Sequence, residues 1–164
     1  MALNKALITS KRDSWNTPER VLELVRKVAG GRVGFDPCPN DGSIVDPIGL
    51  TQGRDGLDMD WTGCGLVYVN PPYGREIGKW VEKCDCEYLR APLHTEIIAL
   101  LPARPDARWF EHVWHANALC FWRGRLRFLG APSSAPFPSV VAYWGPRKYR
   151  FADVFNEVGH VVFP

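Results

Sequence analysis

The chain has 164 residues, 46% of them hydrophobic and 23% charged, with a formal net charge of +2. That composition supports one sizeable core and excludes a disordered chain, and no apolar run approaches a membrane span, so no membrane partner is expected. Five cysteines, an odd number, and a polar start from Met1 to Arg12 predict free thiols in a reducing cytoplasm rather than a secreted disulfide framework.

Residues 1–13 read as a flexible tail and 14–164 as a single domain. In Ser14-Trp15-Asn16-Thr17-Pro18-Glu19, Thr17 is expected to cap a helix, with Pro18 at its first position and Glu19 in its first turn. The helix is predicted from about Pro18 to Val28, with Val21, Leu22, Leu24, Val25 and Val28 inward, and Gly30-Gly31 ends it. Two readings of Trp15 and Asn16 stay open: an aromatic staple at the helix entry, or contacts to a ligand carboxylate at the helix N-terminus.

Val33-Gly34-Phe35 predicts a short strand ending in Asp36-Pro37-Cys38-Pro39, where a carboxylate either turns the chain or meets a ligand ammonium. Residues 40–53 carry no helix of ordinary length and little strand signal beyond Ser43-Ile44-Val45, so the α/β core is expected to be reduced in size. Asp55-Gly56-Leu57, with Asp58 and Asp60 nearby, is either a solvated acidic turn or an acid and apolar pair facing a ligand.

Leu66–Val69 is a strand stopped by Asn70-Pro71-Pro72-Tyr73. The prolines present Asn70 and Tyr73 at the strand's C-terminal end, where open α/β sheets bind ligands. The Asn70 amide oxygen and the Pro71 carbonyl, held by Pro72, make two fixed acceptors that suit a planar –NH2 group. Tyr73 adds a flat face for an aromatic base, and bases outside the duplex are read by edge hydrogen bonds and stacking.

A helix follows Gly74-Arg75-Glu76 toward Leu89, with Ile77, Trp80, Val81 and Cys84 on one face. Cys84-Asp85-Cys86 lacks the two-residue spacer of zinc sites, and no metal is expected. Thr95–Leu101 reads as an interior parallel strand ending in Pro102-Ala103-Arg104; Asp106 is expected to cap a helix from Ala107 to about His115. Ala118–Trp122 leads into Arg123-Gly124-Arg125-Leu126-Arg127-Phe128, where alternation places Arg123, Arg125 and Arg127 on one strand face, solvated or bound to a polyanion. After a Pro/Ser loop, Ser139–Trp144 is the last clear strand, and Phe151–Phe163 holds a short helix or strand. The element order predicts an α/β fold with a mostly parallel sheet and an antiparallel edge hairpin over Phe121–Trp144. Charge is uneven: acids cluster over residues 35–60, and Arg104, Arg108, Arg123, Arg125, Arg127, Arg147, Lys148 and Arg150 mark the second half.

Taken in order, Trp-x-Thr-Pro, Phe-Asp-Pro-Cys, Asp-Gly-Leu then Trp, Val-Asn-Pro-Pro-Tyr-Gly, Leu-Leu-Pro-Ala-Arg, Trp-Phe, Arg-Gly-Arg-Leu-Arg-Phe and Pro-Phe-Pro-Ser form a series. It resembles the small phage-type DNA N-6-adenine methyltransferases (Dam-type) over roughly Ser14 to Gly145. The resemblance implies a Rossmann-like fold using S-adenosylmethionine, in a bacteriophage or its bacterial host's cytoplasm, with double-stranded DNA as partner. It implies that Asn70, Pro71, Pro72 and Tyr73 are catalytic. Trp15, Asn16, Thr17 and Pro18 would touch the methionine end of the cofactor, Asp36 with Pro37 its α-amino group, and Asp55 with Leu57 its adenine. Arg75, Arg104, Arg123, Arg125 and Arg127 would contact DNA. The chain departs from the family's usual D-P-F-x-G-x-G form, carrying Asn40-Asp41-Gly42 where the glycines stand. With no room for a large recognition domain, a short target or low specificity is expected. Asn-Pro-Pro-Tyr also occurs in methyltransferases of RNA bases and of protein glutamine, and a DNA-binding homologue that has lost catalysis would share the fold; these stay as alternatives.

Overall fold

Side-chain alternation along the strands sets the layering in the computed structural model, which describes residues 15–39 and 54–164. Leu66 and Tyr68 of strand β1 (Leu66–Val69) face one core while Val67 and Val69 face another. In β2 (Glu96–Pro102), Ile98 and Leu100 join the first core, and Ile97, Ala99 and Leu101 the second. A sheet apolar on both faces needs a layer on each side. The first layer is α1 (Glu19–Ala29) with α3 (Lys148–Phe155); the second is α2 (Ile77–Arg90) with a 3₁₀ helix at Arg108–His115.

The sheet order is β1-β2-β4-β3-β5, with β3 at Ala118–Trp122, β4 at Ser139–Trp144 and β5 at Gly159–Val162. Only β1 and β2 pair in parallel; β2–β4, β4–β3 and β3–β5 are antiparallel. The expected mostly parallel sheet is therefore wrong. The expected β3–β4 pairing forms, but β4 lies inside the sheet and β5 forms that edge. Every residue of β4 is buried, and a run buried on both faces looks the same in sequence whichever way it points.

Because β4 runs against both neighbours, β1, β2 and β3 point the same way. The C-terminal ends of these three strands, carrying Asn70, Ala103 and Arg123, therefore share one edge of the sheet. The Phe35 backbone adds a parallel bridge to Val67, so Asp36 also emerges at this edge. Val33–Phe35 is otherwise not a regular strand.

The helices start and stop largely as their sequences predict. α1 ends on Gly30 in the left-handed region (φ 82°), where a side chain would be strained, and the Gly31 N–H closes back on the Arg26 carbonyl at 2.9 Å. Its N-cap is Pro18, not Thr17. α2 buries the expected Ile77, Trp80, Val81 and Cys84. Asp106 does not cap the next helix: it pairs with Arg104 at 3.2 Å, Ala107 takes the cap position, and the helix is 3₁₀ rather than α. The uncertain tail resolves into α3 followed by β5. No helix among the described residues is long and apolar enough to cross a membrane, and all five cysteines are free. The expected tail 1–13, Ser43-Ile44-Val45 and Asn40-Asp41-Gly42 lie outside the described residues.

Phe151 stacks between Tyr143 and Phe155, with centroids at 5.1 and 4.4 Å, and so joins α3 to the sheet. Phe151→Ala is expected to lower unfolding stability by about 3–5 kcal/mol in urea denaturation.

Candidate active site

Tyr68 and Asn70 are two residues apart and so project to the same side of the chain. Tyr68 is wholly buried, and its hydroxyl lies 2.8 Å from the Thr17 hydroxyl. The Thr17 oxygen in turn accepts from Asn70 Nδ2 at 3.0 Å, and the Trp15 carbonyl accepts the second Nδ2 proton. Thr17 is thus used to hold an amide rather than to cap α1. With both Nδ2 protons committed, the Asn70 amide has one orientation. Its Oδ1 is buried and has no hydrogen-bond partner among the described residues. A buried acceptor left unpaired costs about 1–3 kcal/mol, so it marks a place where a donor belongs.

The backbone N–H of Asn70 reaches the Cys38 sulfur, linking the end of β1 to the segment after Phe35. Asp36, two residues before Cys38, is only 4% exposed. Its Oδ1 accepts from the Cys38 N–H at 3.0 Å. Burial pushes its carboxyl up from 3.8 to about 6, partly offset by that hydrogen bond. No cation pairs with it among the described residues. An ammonium placed there would favour the ionised form and offset its desolvation, which is the donor set an α-amino acid ligand requires.

Asp55 and Leu57 reach the same neighbourhood through Gly56. A Cβ on Gly56 would stand 1.9 Å from the Pro37 carbonyl oxygen, so only glycine lets the two segments touch. Asp55 is exposed, and its carboxylate caps a short 3₁₀ turn by accepting from the Leu57 N–H at 3.0 Å. Asp55 and Leu57 border a cleft of about 480 Å³ that continues to Lys79 and Lys83 of α2.

Tyr73 is anchored by a hydrogen bond from its hydroxyl to the Leu100 carbonyl at 2.9 Å. Its ring meets Phe137 edge-on at 5.5 Å and Phe128 at 6.1 Å. Trp15 closes the group, with centroids 5.1 Å from Phe128 and 5.5 Å from Phe137. Asn16 bridges to Leu129, tying the segment before α1 to the chain after β3. Tyr68, Cys38, Phe128 and Phe137 were not singled out by sequence reasoning. Tyr68 carried a signal, a polar ring in an apolar strand two residues before Asn70; the two phenylalanines were visible only as parts of motifs.

The basic residues divide. Arg123 is cut off from its neighbours by Gly124 (φ 78°), and its guanidinium reaches the Glu157 carbonyl at 3.5 Å. The expected single face of three arginines is therefore broken. Arg125 and Arg127 remain exposed, alternating with buried Leu126 and Phe128, and Arg127 touches only the carbonyls of Ala131 and Pro132. Arg75 is exposed two residues after Tyr73. Arg104 is held by Asp106. Arg147 pairs with Glu96 and Arg150 caps the carbonyls at the end of α1, so both serve the fold.

With an orphaned amide oxygen after β1, a buried acid beside it and an aromatic group alongside, the geometry agrees with one comparison. The family model described as DNA N-6-adenine-methyltransferase (Dam) matches residues 4–140, most of the chain. The chain belongs to this family. Membership makes it a methyltransferase, with DNA adenine methylation as the family's activity. Comparison with curated proteins gave no match.

The Asp36 carboxyl gives a test that needs no ligand. Its proton is held in the folded state up to about pH 6 and lost from the unfolded chain near 3.8. Between these values the folded state binds more protons, so rising pH lowers stability through this window and the loss levels off above pH 6. Asp36→Asn should remove that component. Unfolding free energies from urea titration at pH 4 and pH 7 are expected to differ more for wild type than for the variant, by roughly 1–3 kcal/mol.

Proposed function

We propose that the chain methylates the exocyclic N6 amine of adenine in double-stranded DNA, with S-adenosylmethionine as donor and the base turned out of the helix. The observation that carries this reading is the orphaned Oδ1 of Asn70, held in place at the sheet edge by its own amide's two donated hydrogen bonds.

The residues present fit the cofactor. Asp36 is a buried carboxylate suited to an ammonium, and Asp55 with Leu57 edges a cleft large enough for a ring system. Trp15, Asn16, Thr17 and Pro18 stand at the start of α1, where backbone N–H groups favour a carboxylate. When bound, S-adenosylmethionine supplies an electrophilic methyl group on a sulfonium, so the protein need not generate the electrophile.

The protein's own work lies at the acceptor. Asn70 Oδ1 and the Pro71 carbonyl each accept one N–H of the adenine amine. That pair of acceptors favours a nitrogen whose lone pair is withdrawn from the ring, a shape closer to the transition state than to the flat ground state. Transfer replaces one N–H by N–CH3 and releases a proton to solvent. Tyr73 presents the partly exposed remainder of its ring to the base, with its hydroxyl held at Leu100 and Phe137 against its side. A duplex adenine has no access to these groups until it leaves the stack. Pro72 holds Pro71 extended, which fixes the direction of its carbonyl.

Arg75, Arg125 and Arg127 are exposed and supply phosphate contacts. Arg104, paired with Asp106, and Arg123, turned away by Gly124, contribute less. The target is short or loosely specified.

Transfer of labelled methyl to DNA, followed by nucleoside analysis, tests the reaction. The expected product is N6-methyladenine in wild type. Asn70→Ala should lower turnover by about a hundredfold or more while calorimetry still detects cofactor binding. Asp36→Asn should instead weaken cofactor binding. Methyl found on cytosine, or on protein glutamine with DNA inert, would overturn the base assignment. For the DNA contacts, Arg125→Ala and Arg127→Ala are each expected to weaken DNA binding similarly across sequences. Each should also reduce the slope of log K against log salt by about 1, measured by fluorescence anisotropy.

A further inference from the structure

On the face of the sheet covered by α2, Asp85 is an ionisable group that the reaction does not use. Its side chain is 5% exposed. Both nearby imidazoles aim at the same carboxylate oxygen. His112 Nδ1 lies 3.0 Å from Asp85 Oδ2, and His115 Nδ1 lies 2.7 Å from it. The other oxygen, Oδ1, is buried and has no partner among the described residues.

The convergence follows from the local helix type. A 3₁₀ helix has three residues per turn, so side chains at i and i+3 lie over one another. In Arg108–His115 this places Phe110 and Val113 together in the core and His112 and His115 together against α2. On α2, Asp85 follows the buried Cys84 on the side that meets this helix.

As a purely hydrogen-bonded group the arrangement is poor. One carboxylate oxygen receives two N–H donors while its buried twin receives none. As a ligand set it is well formed: two imidazole nitrogens and a carboxylate oxygen, all within 4.8 Å of one another. Zinc binds such atoms at about 2.0–2.2 Å, which spaces tetrahedral ligands by roughly 3.3 Å. The two nitrogen–oxygen separations, 3.0 and 2.7 Å, need to open by about 0.3 and 0.6 Å. His112 and His115 have side chains 34% and 57% exposed, leaving an entry path and room for a water in the fourth position.

We propose that Asp85, His112 and His115 bind one divalent cation of the zinc class, through Asp85 Oδ2 and the two Nδ1 atoms, with water as the fourth ligand. Mixed nitrogen and oxygen donors with no thiolate suit zinc, cobalt or nickel rather than magnesium or calcium. Neutral imidazoles bind by moving their proton to Nε2, with no net proton loss. The cation joins the 3₁₀ helix to α2 and thereby fixes the segment that follows Arg104. This departs from the expectation of no metal, which weighed the cysteines and the reaction but not these histidines.

The test uses the whole chain stripped of metal by a chelator. Titration with Zn2+ in a calorimeter should show one equivalent bound and a raised melting temperature. Co2+ should give a visible d–d spectrum without the near-ultraviolet band of a thiolate ligand. His112→Ala and His115→Ala, both at partly exposed positions, should each weaken binding by at least about tenfold. His160→Ala, an exposed histidine elsewhere, should bind like wild type. The absence of heat and of a Co2+ spectrum at millimolar metal would overturn the proposal. So would unchanged binding in the His112→Ala/His115→Ala double variant. In wild type, a thiolate band would place the metal on a cysteine instead and overturn it without any variant.

Discussion

An asparagine amide can donate twice and accept through one oxygen, and in this chain the donors are both spent inside the protein. Thr17 and the Trp15 carbonyl take the two Nδ2 protons of Asn70, and Tyr68 holds Thr17. Much of the surrounding structure serves that geometry. It takes Thr17 away from helix capping, requires a phenol in the middle of an apolar strand, and brings the segment before α1 against β1. The Asn16–Leu129 bridge then carries the same segment to the chain after β3, so the basic loop is set by the group that orients the amide.

Asn70 and Asp36 share a feature that ordinary folding would remove. Each is buried with an unmet requirement: an acceptor without a donor, and a carboxyl without a cation. Local conflict of this kind costs stability and persists where a ligand repays it. The two sit on segments joined by the Asn70 N–H and the Cys38 sulfur, so the two requirements are coupled in space. Elsewhere most polar groups are satisfied at home. Arg150 completes the end of α1, Arg147 meets Glu96 and Tyr143, and Arg90 ties α2 to Asp60. The basic second half of the sequence is therefore less of a DNA surface than its charge suggests.

What sequence could and could not show follows from the range of the interactions. The inner face of α2 was legible because burial repeats with the helical period, and β2, β3 and β4 because each is a short continuous apolar run. The direction of β4 was not, because a strand buried on both faces has no period to read. Thr17 looked like a cap because Thr-Pro-Glu is a good local start for a helix; its actual partners are 51 and 53 residues away. Arg123 looked continuous with Arg125 and Arg127 until Gly124 turned the chain. His112 and His115 carried no signal, since the Asp85 they meet lies on α2, 27 and 30 residues earlier. Asn70-Pro71-Pro72-Tyr73 was legible in full, because two prolines specify their own geometry.

The parts of the site come from residues 15–17, 36–38, 68–73 and 128–137, and the interior strand β4 begins only at Ser139. Such a site has high contact order: loops of many tens of residues must close before any of these contacts is gained. During synthesis, α1 and β1 emerge long before the strand that completes the middle of the sheet, so the amide at position 70 gains its full setting late. A ribosome-bound chain lacking β4 has yet to assemble this group of contacts. Asn70-Pro71-Pro72-Tyr73, made well before β4, waits for the later strands to give it shape.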